Sequence, residues 1–154
     1  MNLPNIATAS IFPRLKGILS NDIVHLTSVI SKIRNDDKLV DFLESLISAK
    51  KHIISELPGE FTDIYQGSPN VPQKEHLTGY ELTDLESTED SVKLLSLLLS
   101  TEESQLELVK NASDTKGLPE ELETKLVSLS RNYAAIVDQI GRSKKTQQFG
   151  TIVL

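Results

Sequence analysis

The chain has no cysteine. That removes disulfides, thiolate nucleophiles, iron–sulfur clusters and cysteine-based zinc sites in one step. It has no tryptophan, and aromatic residues make up 5% of it, so leucine and isoleucine must fill its interior. Long apolar runs are missing too. The longest leucine-rich run, LLSLLL at 94–99, is far too short to span a bilayer, and the first twelve residues show no basic region followed by an apolar stretch. A soluble, cytoplasmic protein is expected. No Gly-rich phosphate loop and no Gly-x-Ser-x-Gly elbow occurs, so nucleotide-type phosphate cradling and serine nucleophilic catalysis lack their usual frames.

The net charge is −6, unevenly spread. Residues 1–55 carry +2, residues 56–125 carry −11 and residues 126–154 carry +3. An acidic middle disfavours nucleic acid as a partner, because phosphate binding needs clustered lysine and arginine. At 154 residues the chain has the length of one domain, and such a domain buries on the order of 70% of the surface its unfolded chain exposes.

Apolar residues recur with helical spacing in four segments, and none alternates over the length of a strand. An all-α fold follows. The first helix is expected from about Pro13 to Arg34, with Leu15, Ile18, Leu19, Ile23, Leu26, Ile30 and Ile33 along one stripe and proline in the first turn. The cluster Arg34-Asn35-Asp36-Asp37 breaks and caps the chain. A second helix then runs to about Glu56 with Leu39, Val40, Leu43, Ile47 and Ile54 inward. The third is expected from a capping box at Ser87-Thr88-Glu89-Asp90 to about Asn111, with Val92, Leu95, Leu99, Leu106 and Val109 inward. The fourth opens at Leu118-Pro119-Glu120-Glu121, and its stripe is Leu118, Leu122, Leu126, Leu129, Tyr133, Ile136/Val137 and Ile140.

Short connections make helices one and two a hairpin, and likewise helices three and four. Between the hairpins lie roughly thirty residues with three prolines and three glycines. A crossover that long lets the second hairpin start at the far end of the first, the ferritin-like arrangement of a four-helix bundle. The chain therefore divides into an N-terminal extension (1–12), a four-helix bundle (13–142, crossover about 58–87) and a C-terminal tail (143–154).

The segment DDKLVDFLESLISAKK in the second helix, LLSLLLSTEESQLELV in the third and LPEELETKLVSLSRNYAAI in the fourth resemble a bacterial family of ferritin-like four-helix-bundle proteins to which no activity is firmly attached. The resemblance spans about residues 20–142. It implies the bundle fold, and it brings the metal question with it. Ferritin-like carboxylate proteins hold two metals with a glutamate from each of two helices and Glu-x-x-His from each of the other two. No Glu-x-x-His occurs here in the second or fourth helix. Glu44 and His52 are eight residues apart, about 12 Å along a helix, too far to share one ion unaided.

Glu102 is the anomaly. It completes the apolar stripe between Leu99 and Leu106, where a lone ionised carboxylate is costly. It must be hydrogen-bonded to a neighbouring helix, protonated, bound to a cation or swung to the edge. If a metal is involved, Glu102, His25 and Glu44 are the candidate ligands and iron or manganese the candidate ion; with the full ligand set missing, no cofactor is expected. His25 beside Asp22 suits a partly buried, hydrogen-bonded role. His52, after Lys50-Lys51, suits a solvated face, and His76 falls in the crossover.

The apolar tail FGTIVL at 149–154 should pack on its own bundle, on a second subunit or on a partner. Three functions remain: a non-catalytic bundle working through protein contacts and self-association as a homodimer, a metal-binding ferritin-like protein with an incomplete site, and a carrier of lipid or another small molecule.

Overall fold

The computed structural model describes residues 11–33, 36–58, 79–87 and 90–154, and no strand occurs among them. The described residues form four long helices and one short one: α1 (Ile11–Lys32), α2 (Asp37–Glu56), α3 (Leu82–Ser87), α4 (Ser91–Ser113) and α5 (Glu120–Thr146). The all-α expectation holds. Residues 1–10 of the expected N-terminal extension (1–12), most of the crossover with His76, and Thr88 and Glu89 of the expected capping box lie outside the described residues.

Local chemistry sets the ends. Asp36 caps α2 by accepting the Leu39 N–H at 3.1 Å, and Asp90 caps α4 by accepting the Val92 N–H at 2.9 Å. The cap of α4 is therefore Asp90, with Ser87 placed at the end of α3 instead. Pro119 precedes α5, whose first turn holds Glu120, Glu121 and Glu123 against the positive end of the helix dipole, while Lys144 and Lys145 sit in its last turn. Gly117 takes φ +79 in the turn before it, a conformation that glycine adopts without a Cβ penalty. Two ends differ from the sequence expectation. α1 starts at Ile11, so Ile11 and Phe12 belong to the core. α5 runs four residues past 142 and stops where Gln147 turns left-handed at φ 57.

α4 packs along α5 and α1 along α2, while α3 rests on α1 and α2 meets α5. The six residues 114–119 span at most about 20 Å extended, less than the roughly 35 Å length of α4, so α5 must fold back along it. Positions 12, 15, 19, 22, 26 and 29 of α1, and 39, 43, 46, 50, 53 and 57 at α2, are all buried. So are 95, 98, 102, 105 and 109 of α4 and 122, 126, 129, 133, 136, 140 and 143 of α5. Steps of three and four average 3.5, the heptad spacing of left-handed helix packing. Among the described residues the aromatic side chains are concentrated inside: Phe12, Phe42, Tyr80 and Tyr133 are all buried in one core cluster with the aliphatic side chains. No helix among the described residues is long and apolar enough to cross a membrane.

The tail packs on its own chain. Ile152 is buried in the core, and Phe149 meets Phe42 with ring centroids 5.4 Å apart. The Ile152 N–H donates to Ser45 Oγ at 3.0 Å and the Gly150 N–H to Ser143 Oγ at 3.2 Å, so the turn after α5 is tied to both α2 and α5. Ile152→Ala is expected to cost about 2 kcal/mol, the lower end for a buried isoleucine because the site lies at the rim of the core. Urea unfolding reads this as a lower midpoint at unchanged slope; an unmoved midpoint would show that the tail adds nothing.

Candidate functional site

Apart from Ser143 near the end of α5, the heptad stripes are apolar except at one level, where α1 contributes Asp22, α2 Lys50, α4 Glu102 and Gln105, and α5 Tyr133. All five are fully buried. Lys50 is the centre. Its Nζ donates to Asp22 Oδ2 at 3.0 Å, to Glu102 Oε2 at 3.0 Å and to Gln105 Oε1 at 3.4 Å, and Glu102 Oε1 also faces it. Three acceptor groups thus meet the three donors of an ammonium. Gln105 closes the ring by donating its Nε2 to Asp22 Oδ2 at 2.8 Å.

Tyr80 covers this level from the stretch just before α3. Its N–H donates to Asp22 Oδ1 at 2.8 Å, and its ring lies over the ammonium, 5.2 Å from Nζ to the centroid, close enough for cation–π attraction. Its hydroxyl lies toward Glu102 but short of a well-aligned hydrogen bond. The buried Tyr133 hydroxyl has no partner among the described residues.

The protonation of the layer follows from burial and neighbours. Burial pushes the Glu102 carboxyl above the ordinary 4.5 of a glutamate, and the field of Lys50 offsets this only in part. For Lys50, burial works downward, yet the Coulomb fields of Glu102 and Asp22, with their hydrogen bonds, leave its pKa above 10.5. Burial first, then the negative fields of Glu102 and Asp22, hold both Tyr80 and Tyr133 well above 10.0.

Of the sequence candidates, Glu102 is indeed on the inner stripe, and its partner is a lysine of α2. His25 is half-buried on α1, one turn beyond Asp22, and its buried Nδ1 has no partner among the described residues. Glu44 is exposed; it lies six residues from Lys50 on α2, two-thirds of a turn round the helix and about 9 Å along it. Among the described residues, no group of three or more histidine, aspartate or glutamate side chains is placed to share a metal ion. The structure therefore separates Glu44 from Glu102. His52 and Lys51 are exposed as expected, whereas Lys50, read with them as surface, is fully buried. Comparison with protein families, with curated proteins and with solved structures returned no match.

Proposed function

We propose that the protein is a non-catalytic four-helix bundle of ferritin-like layout, two hairpins joined by a crossover, which acts through contacts with other proteins or with a second copy of itself. One observation carries this reading: the cluster richest in chemistry is buried, and its one cation is spent on neighbouring side chains. Lys50 is fully buried with its donors used, so it meets no substrate, and what the protein does falls to its outer surface. The same ammonium stands between Asp22 and Glu102, placing a positive charge where an iron or manganese ion shared by these carboxylates would sit, which favours the contact reading over the metal reading. On the outer face of α4, Glu103, Glu107 and Lys110 follow one another at helical spacing and are exposed. They are the first candidates for a contact surface, set in the acidic part of the chain.

The test joins two readouts on full-length protein purified without chelator. Elemental analysis should find no stoichiometric iron or manganese, and alanine at Glu103, Glu107 and Lys110 should keep the helical spectrum while weakening self-association or partner capture seen with the wild type. One or two metal ions per chain, lost in Glu102→Gln, would overturn the reading. So would partners held equally by the surface variant.

A further inference from the structure

The layer does not balance its own charge. Asp22 and Glu102 carry two negative charges when both are ionised, against one positive charge on Lys50. The remaining groups that face it are Gln105 of α4, Tyr133 of α5 and Tyr80 ahead of α3, and none adds a positive charge. A surplus charge in a region sealed from water is expensive. With one proton on Glu102 the closed layer is neutral.

On one side this layer is covered by Tyr80. Residues 79–85 come to it from outside the four long helices. Tyr80 and Leu85 are buried while Glu81, Thr83 and Asp84 between them are exposed. Among the contacts that hold the segment down are the Tyr80 N–H bond to Asp22, the ring of Tyr80 over Lys50, the Leu85 anchor and the seat of α3 on α1. The long helices interlock over many turns. A short segment that does not interlock in this way opens at a lower free energy than the helices separate.

We propose that residues 79–85 are a lid over the Asp22–Lys50–Glu102 layer, kept shut by a proton on Glu102 and released when that proton leaves. With Glu102 ionised, the closed layer holds unbalanced charge, and lifting Tyr80 lets water reach it. The closed state binds the proton more tightly than the hydrated open state, so opening rises with pH in the range above 4.5. One proton is involved, which limits the change to about tenfold per pH unit.

Hydrogen exchange of the full chain from about pH 5 to about pH 8, corrected for the intrinsic pH dependence of exchange, tests this. The Tyr80 amide and its neighbours to residue 85 should lose protection, approaching tenfold per unit over part of the range, while α5 amides around Tyr133 hold theirs. Glu102→Gln, neutral at every pH, should abolish the slope. Asp22→Asn, which keeps the acceptor for the Tyr80 N–H and leaves Glu102 matched by Lys50, should flatten it too and serves if Glu102→Gln does not fold. A pH-independent protection of residues 79–85 in the wild type overturns the proposal, as does a slope retained in either folded variant, or one shared by α5.

Discussion

Lys50→Ala is expected to be the most damaging single replacement in the protein. It strands Glu102 and Asp22 opposite one another with no ammonium between them, and breaking a buried ion pair in this way costs about 3–5 kcal/mol. Domains of this kind hold about 5–15 kcal/mol in total, so the variant should be largely unfolded under mild denaturant by circular dichroism. The comparison that identifies the cause is Asp22→Asn with Lys50→Met and Glu102→Leu. This variant removes all three charges, keeps side chains of similar size, and retains the acceptor for the Tyr80 N–H. It should recover wild-type stability or exceed it by about 1–4 kcal/mol, because apolar packing carries no desolvation cost. A loss below about 1 kcal/mol in Lys50→Ala would mean that water already reaches the layer.

Alkaline unfolding should be unusually steep. Lys50, Tyr80 and Tyr133 all have folded pKa values above those of the free side chains, 10.5 for the lysine and 10.0 for the tyrosines. Below those values all three are protonated in both states and their contribution is fully present. Above them the unfolded chain releases protons that the folded one keeps, so stability falls as pH rises. Each group contributes a slope of up to about 1.4 kcal/mol per pH unit, and the three together about 4. Helix content should therefore collapse within one or two pH units above about 10.5, and tyrosinate absorbance from the two buried phenols should appear with the collapse. Tyr133→Phe should lessen the slope by about a third. If the phenols ionised gradually while the helical signal held, the burial argument would fail.

Legibility from the sequence varied with how strongly each helix contrasts its faces. In α5 the stripe from Leu122 to Ile140 is buried as read, because polar residues fill the rest of its surface. In α4 leucines run all the way round at 94–99, and periodicity could not choose among them: Leu94 and Leu98 are buried, Leu99 is half-buried and Val92 is exposed. α1 shows the same slip by one position, with Asp22 and Val29 inward where Ile23 and Ile30 were expected. A sustained heptad, 3.5 residues rather than 3.6, separates those alternatives. Followed strictly, it runs straight through Asp22, Lys50 and Glu102.

Glu102 was legible as an anomaly since it interrupted leucines. Lys50 was not, because beside Lys51 and His52 it reads as ordinary surface; the signal that could have found it was one basic and two acidic residues on inner stripes of three different helices, a set that nearly cancels. Tyr80 left no trace at all. A tyrosine in a crossover has no periodic neighbours to mark it, and only its position in space relates it to Asp22 and Lys50. The short α3 around Leu85 escaped for the same reason.

The assembly of the Lys50 cluster also constrains the order in which the molecule folds. Its members come from separate stretches of chain, with Asp22 and Gln105 alone 83 residues apart. Each hairpin can form early from local contacts, but neither contains the whole set: Lys50 meets Asp22 within the first and finds Glu102 and Gln105 only on the second. Until the two halves and Tyr80 have met, shedding the hydration shell of the ammonium is uphill. Water must therefore be among the last things to leave the centre of this protein, and its final dehydration is a checkpoint that an incorrectly docked pair of hairpins does not pass.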